Sequence, residues 1–270
     1  LVNKKIGFIG GGAMAEALIG GMLQSGLVEA KNVMVSDVSD QRLAFLQSSY
    51  DIGTDNSNRR IAEHSDVLFL AVKPHIIPYI FTDIAGYIAN DTLVVSIAAG
   101  VTIAFVESHL PHNPVIRVMP NTPAAVRAGM SAVALGSKAS ASQGDMVMAL
   151  FSAVGKSVVL GEELMDAVTG LSGSGPGYGF VFIDALADAG VRVGLPRKTA
   201  IILAAQSLLG AAKMVLETGE HPAMLRDGVT SPGGTTIAGI HMLEQGGVRA
   251  AVSNAVYAAC ARSKEMGKAK

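Results

Sequence analysis

The sequence predicts an α/β fold, a doubly wound parallel sheet followed by an all-helical part, and three observations carry that prediction. Short β-branched runs alternate with helical patterns over residues 1–162. The strand pattern then stops, and 163–270 reads as helix after helix. The first strand ends in Gly10-Gly11-Gly12 and runs straight into an alanine-rich helix. Strands that alternate with helices imply parallel pairing, with helices covering both faces of the sheet.

Taken in order, Ile6–Ile9, Val33–Val35, Val67–Val72, Thr92–Ile97 and Val115–Val118 read as strands, with shorter ones at Val133–Leu135 and Ser157–Leu160. Between them, Ala13–Ser25, Gln41–Ser48 and Ile77–Ile88 read as helices. In the second half Phe180–Arg192, Arg197–Thr218 and Arg249–Lys264 are long helical patterns rich in Ala, Leu and Met. They are broken at Gly194-Leu195-Pro196, Glu220-His221-Pro222 and Ser231-Pro232-Gly233-Gly234. About 105 residues of apolar helix without a sheet suggest pairing with a second subunit.

Composition removes several function classes. Half of the 270 residues are hydrophobic, enough for a sizeable core, and the net charge is −1 with the charges dispersed. No basic stripe points to nucleic acid and no polybasic run points to a lipid surface. Lys4-Lys5 followed by an apolar stretch resembles a signal peptide, but Glu16 interrupts the stretch and Gly10 to Gly12 would break its helix. The longest later apolar run, Val67 to Val72, is too short to span a bilayer. Cys260 stands alone, so no intrachain disulfide forms, which suits a reducing cytoplasm. No His, Cys and Asp spacing matches a metal site, and the six histidines make no cluster. The twelve Met residues read as gap-fillers in helix packing.

Gly10-Gly11-Gly12-Ala13-Met14-Ala15 fits G-x-G-x-x-A between a strand and a helix, the context of a Rossmann dinucleotide-binding turn. Gly10 allows the tight turn, Gly12 lets the backbone approach a pyrophosphate, and Ala15 packs the helix close to the strand. The helix start then offers unpaired N–H groups to phosphate. Asp37, at the end of the second strand, follows Gly12 by about 25 residues, near the spacing of the acidic residue that accepts from ribose hydroxyls. An acid there favours NAD over NADP; Asp37 could instead serve the next helix, though Ser39 or Asp40 can cap it.

Four later stretches carry a resemblance: Ala71-Val72-Lys73-Pro74-His75, Met119-Pro120-Asn121-Thr122-Pro123, Leu171-Ser172-Gly173-Ser174-Gly175-Pro176 and Ser231-Pro232-Gly233-Gly234-Thr235-Thr236. In this order, and with the glycine turn, they resemble the pyrroline-5-carboxylate reductases over nearly the whole chain. The resemblance implies a Rossmann domain over 1–162 and a helical dimerisation and substrate domain over 163–270. It implies NADPH- or NADH-dependent reduction of 1-pyrroline-5-carboxylate to L-proline, the last step of proline biosynthesis. It also implies homodimers, which often assemble further into decamers. Asp37-Val38 stands where many NADP-using relatives carry Asn-Arg or a Ser-containing run.

The chemistry the resemblance implies has definite needs. The substrate is a cyclic imine with a carboxylate, and its imine carbon must be held about 3–3.5 Å from a hydride donor with water excluded. Ser231, Gly233, Gly234, Thr235 and Thr236 suit the substrate, because two glycines free the backbone to present N–H groups at the start of the next helix, Thr236 to Glu244, where a carboxylate belongs. By resemblance the Thr236 hydroxyl hydrogen-bonds the ring nitrogen, as an orienting rather than a formally acidic group. By resemblance also, Ala71 and Lys73 line the cofactor and Asn58 reaches its adenosine side. Ala98, Ala99, Gly100 and Asn121 end the next strands and border the nicotinamide, and the Gly173 to Pro176 loop closes the cleft. With Gly10, Gly12, Ala13, Met14 and Asp37 these complete the expected NAD(P)H site. Two rivals have weaker support. A β-hydroxyacid dehydrogenase needs a Lys on the first long helix of its second domain, and Pro176 to Val191 has none. A non-catalytic nucleotide sensor does not need the intact Thr236 loop.

Overall fold

The computed structural model describes residues 2–268. The chain runs β1 (Ile6–Ile9), α1 (Ala13–Gln24), β2 (Val33–Ser36), α2 (Asp40–Tyr50), β3 (Gly53–Asp55), α3 (Asn58–His64), β4 (Val67–Leu70), α4 (Ile77–Ile84), β5 (Leu93–Ser96), α5 (Ile103–His109), β6 (Val115–Met119), β7 (Gly129–Leu135), α6 (Ala141–Ser152) and β8 (Gly155–Val159). A short helix, α7 (Met165–Val168), continues into a π-helical turn, Thr169–Gly173. Then follow α8 (Gly175–Arg192), α9 (Arg197–Thr218), α10 (Pro222–Gly228), α11 (Thr235–Gln245) and α12 (Val248–Lys268).

The eight strands form one sheet in the order β3-β2-β1-β4-β5-β6-β7-β8. Successive side chains on a strand point to opposite faces, so buried apolar runs supply two cores at once. Ile6 and Phe8 of β1 join Val67 and Phe69 of β4 on the face covered by α1, α2 and α6. Ile9, Leu68 and Leu70 face the other way, against α3, α4 and α5. Phe8 and Phe69 stack at 4.5 Å between ring centroids, and Phe151 of α6 tilts onto Phe69 at 6.2 Å.

The sheet departs from the all-parallel expectation at one place. β7 runs antiparallel to β6, with Arg117 opposite Ala134, while β8 returns parallel to β7. The connection 120–128 contains only a short 3₁₀ turn, and a parallel crossover needs a dozen residues or more. Elements β3, α3, α5, α6, α7 and α10 were not among those named from the sequence pattern. β3 is three half-buried residues, Gly-Thr-Asp, with no apolar alternation to mark it. Strands β4 and β5 are also shorter than the apolar runs that contain them, because Ala71, Val72 and Ile97 leave the sheet to shape the loops at its edge.

The chain divides into two compact units. The first comprises the residues up to Ser174 together with those from Ala258 onward, and the second is Gly175–Tyr257. The first unit therefore extends past residue 162. Met165 of α7 is buried with the second core, and Gly173 gives way to Met119, whose Cε lies 2.9 Å from the position of a Cβ there. The last turns of α12 also join this unit: the Ser263 hydroxyl donates to Asp166 at 2.6 Å, and the backbone of Gly267 packs on Gly100. Arg117, buried on β6, pairs with Glu162 at 3.0 Å, and the same carboxylate oxygen takes the Ile103 N–H.

The second unit has almost no core of its own. Among its described residues only Ala187, Ala200 and Ala204 are buried apolar side chains. Phe180, Val181, Ile202, Leu209 and Met242 are each more than half exposed. α9 is long and apolar enough to cross a membrane by length and composition, a property the run-length reading of the sequence missed because its apolar residues are interspersed with Gln, Ser, Lys and Glu. So many large apolar side chains left exposed on a folded chain mark an interaction face. At micromolar concentration, light scattering should give at least twice the monomer mass. A monomer at that concentration would contradict the reading of this face as a subunit interface.

Candidate active site

The glycine turn follows from where β1 and β4 end. The sheet order reverses between these two strands, so their loops part and leave a crevice at their carboxyl ends. Gly10 has φ +98°, and a Cβ there would lie 2.7 Å from the Ala71 carbonyl oxygen. Only glycine satisfies both conditions. Gly12 is the opposite case: its φ is −66°, and a Cβ would meet nothing within 4 Å. Its missing side chain leaves an open cradle rather than relieving a clash. Gly12 caps α1 without a side-chain hydrogen bond, so the N–H groups of the first turn remain available to a phosphate. These features fit a dinucleotide.

A cleft of about 300 Å³ opens beside this helix start, lined by Gly12, Ala13, Met14, Ala71, Lys73 and Ala98 and bordered by Ala99. Seven expected cofactor residues thus share one cleft at the ends of β1, β4 and β5. Val72, Pro74, Ile97, Met119 and Pro120 complete its wall. Val72, Pro74, Met119 and Pro120 fall within the motif stretches 71–75 and 119–123 but were not assigned to the cofactor, and Ile97 was signalled only by its adjacency to Ala98.

The remaining expected residues lie around the cleft. Asp37 follows β2, and its two carboxylate oxygens each accept a backbone N–H, from Gly11 at 2.8 Å and from Ser39 at 3.0 Å. Its spare lone pairs remain open to a sugar hydroxyl. Ser39, not Asp37, caps α2, accepting from the Arg42 N–H. Asn58 stands at the start of α3, where its oxygen accepts from the buried Ser36 hydroxyl at 2.8 Å and its amide reaches Asp83 at 3.2 Å. Asn121 is nearly buried, donating to the Ser172 carbonyl at 2.9 Å and accepting from the Met130 N–H at 2.8 Å. It ties the π-helical turn to the end of β6. Gly100 packs against the end of α12 instead of the cleft wall.

One cluster was absent from the expected site. The Arg42 Nε donates to the Gly11 carbonyl, and its Nη2 pairs with Glu16 of α1. The Tyr50 hydroxyl donates to the other Glu16 oxygen at 3.3 Å. Burial first, then the Glu16 carboxylate, raises the Tyr50 pKa above its ordinary value, so Tyr50 stays a donor. The Gly11 peptide is therefore held at both ends, its N–H by Asp37 and its carbonyl by Arg42.

In the second unit, Ser231–Gly234 forms a turn closed by the Gly234 N–H on the Ser231 carbonyl at 3.0 Å. Pro232 precedes Gly233, whose φ is +67°, the requirement of a type II turn. α11 begins at Thr235, one residue before the expected start, with Gly234 as N-cap and no side-chain cap. A shallow cavity of about 450 Å³ beside this helix start is lined by Gly233, Gly234, Ile237, Ala238, His241 and Glu244. Ser231, Thr235 and Thr236 are exposed.

The two glycines of the first turn should separate folding from binding. Gly10→Ala forces a strained φ and a backbone clash, costing roughly 2 kcal/mol or more. Gly12→Val should lower Tm by only about 2–4 °C, while weakening dinucleotide binding at least tenfold, about 1.4 kcal/mol. Thermal melts and calorimetric titration of both variants check this; a Gly12→Val chain that binds as the wild type does would remove Gly12 from the cradle.

Comparison with known proteins agrees with this geometry. A family model described as pyrroline-5-carboxylate reductase dimerisation matches residues 162–266, and one described as NADP oxidoreductase, coenzyme F420-dependent, matches residues 5–100. The chain is 49% identical over 267 residues to a pyrroline-5-carboxylate reductase of Methanosarcina acetivorans, covering 98% of this chain and 99% of that one. The structure of a pyrroline-5-carboxylate reductase from Coxiella burnetii superposes with a TM-score of 0.92 at 36% identity, over 97% of this chain and 98% of the other. A Plasmodium falciparum pyrroline carboxylate reductase with NADP bound gives 0.88 at 33% identity, over 98% of both chains. An open dinucleotide cradle, an uncapped helix after Ser-Pro-Gly-Gly and near full-length likeness lead to one conclusion: the chain belongs to the pyrroline-5-carboxylate reductase family.

Proposed function

We propose that this chain reduces 1-pyrroline-5-carboxylate to L-proline, the last step of proline biosynthesis, with the roles divided between the two glycine-bearing helix starts. The observation that carries the substrate half is the start of α11. Ser231-Pro-Gly-Gly makes a tight turn, yet no side chain caps the helix it leads into. With the backbone turned by Pro232 and Gly233, the first-turn N–H groups stay open to an anion, and the substrate carboxylate is the anion at hand.

Thr236, in the first turn of α11, orients the ring nitrogen. Its hydroxyl donates to the neutral imine or accepts from the protonated one. Its own pKa lies too far from neutrality for a formal acid, so the proton reaches nitrogen from solvent or by prior protonation of the imine. Ser231, Gly233, Gly234 and Thr235 hold the carboxylate. The cleft residues Gly12, Ala13, Met14, Ala71, Lys73, Ala98 and Ala99 hold the dinucleotide, and Gly10 shapes the turn beneath it. Reduced nicotinamide, when bound, supplies the hydride. Asn58 fixes the adenosine end through Ser36, whereas Asn121 and Gly100 act by position, setting the loops that end β6 and β5. The exposed helical face pairs with a second copy of this chain, and the homodimer is the unit from which larger rings, decamers included, are built. The single cysteine, Cys260, has no disulfide partner, in keeping with a cytoplasmic enzyme.

Asp37 reads the ribose. A free 2′-hydroxyl donates to its carboxylate, whereas a 2′-phosphate brings up to two further negative charges beside it. NADH is therefore the favoured reductant and NADPH the weaker one.

Two substitutions test these assignments. Thr236→Ala should lower kcat/KM by roughly 10- to 100-fold, about 1.4–2.7 kcal/mol, with the dinucleotide Kd unchanged; unaltered kinetics would remove Thr236 from the site. Asp37→Ser should shift the NADH to NADPH ratio of kcat/KM toward NADPH by about tenfold, near 1.4 kcal/mol. A wild type that strongly prefers NADPH, with a ratio untouched by Asp37→Ser, would show that Asp37 does not read the ribose.

A further inference from the structure

We propose that Glu16 is a specificity-determining residue: it neutralises Arg42, the cation that would otherwise serve a ribose 2′-phosphate, and so keeps the site selective for NADH. The inference rests on the reading of the glycine turn as a dinucleotide site and goes beyond it, because Glu16 acts on selectivity through another side chain.

Arg42 is the only Lys or Arg between Val33 and Tyr50. It stands in the first turn of α2, beyond the Asp37 loop, and is joined to the glycine turn through the Gly11 carbonyl. A phosphate on the ribose would need this charge, since Lys and Arg side chains are what neutralise such groups. The charge is already committed. Glu16 takes the Nη2, the Phe45 ring lies 5.1 Å from the guanidinium carbon, and the Nε is spent on backbone. Glu16 is itself fixed by the Tyr50 hydroxyl. Both members of the pair keep only about a quarter of their side-chain surface in solvent, at 26% and 29%, so screening weakens their attraction less than that of a free surface pair.

The two cations that follow are paired in the same way. Arg59 of α3 bonds Asp83 at 2.8 Å, and Arg60 bonds Asp55 at 3.0 Å. Asp37, Glu16 and Arg42 together sum to one negative charge. A 2′-hydroxyl tolerates that sum and donates into it, whereas a phosphate dianion does not. Tyr50 and Glu16 thus belong to selectivity, a role that their distance in sequence from Asp37 conceals.

The test is a double-mutant cycle read by calorimetry as well as by turnover. Wild-type protein should bind 2′,5′-ADP no more tightly than ADP; binding ten times tighter would overturn the proposal without any variant. Glu16→Gln should tighten NADP⁺ binding about tenfold while NAD⁺ binding changes less than threefold, and the gain should fade in 0.5 M salt. In an Arg42→Ala background the same change should have no effect. Equal gains for both nucleotides, or a gain that survives without Arg42, would mean that Glu16 acts on the loop or by its own charge, and either result overturns the inference. So does a ratio that does not move. If wild-type protein binds neither nucleotide, the dinucleotide reading itself falls, and this inference with it.

Discussion

The fold turns on a close approach that leaves no room for a side chain. Where β1 stops, its backbone passes so near the loop after β4 that Gly10 must be glycine, and the positive φ it adopts sends the chain directly into α1. That single turn fixes where the helix starts, and the helix start defines the floor of the cleft. Phe8 and Phe69, one residue apart from these ends and stacked on each other, keep the two strands in register beneath it. The cradle is thus a by-product of strand packing: the apolar core puts the helix end in place, and Gly12 keeps the space before it clear.

An uncapped helix start recurs in the second unit, built by different means. There the chain uses a proline and a positive-φ glycine to turn and again leaves the helix uncapped. Each pairs a backbone constraint with first-turn N–H groups that no side chain caps; under the proposed function one serves pyrophosphate and the other a carboxylate. The units differ in how they support that geometry. The first buries two cores around a sheet. The second leaves most of its apolar surface outside, so its stability is bound up with subunit association.

Much of this was legible in the residues because the signals were local. Gly10-Gly11-Gly12 between a strand and a helix, and Ser231-Pro-Gly-Gly before one, announce their conformations through bonds close in sequence. What escaped was carried by long-range geometry. β3 has no periodicity because it lies at the sheet edge and contributes backbone rather than core. The reversal of β7 depends on the length of a connection whose 3₁₀ turn is hidden in Thr-Pro-Ala-Ala. Asn121 reads as a strand-end polar residue suited to a ligand, yet its amide is spent on Ser172 and Met130, residues that no spacing rule brings near it. Arg42 and Glu16 lie 26 residues apart on two helices, and nothing in either helix alone points to their pairing.

The return of α12 to the first unit imposes an order on synthesis. The chain leaves the sheet-bearing unit at Gly175 and rejoins it at Ala258, so the helical unit is an insertion with two covalent crossings rather than an appended domain. Asp166 waits for Ser263, and Gly100 waits for the Gly267 backbone, partners that emerge from the ribosome only after the entire helical segment. At the usual elongation rate of about 5–20 residues per second, the nascent dinucleotide unit spends several seconds with that surface open, while the apolar helices are already outside. The last contacts to form within the first unit are therefore those that α12 brings back to it.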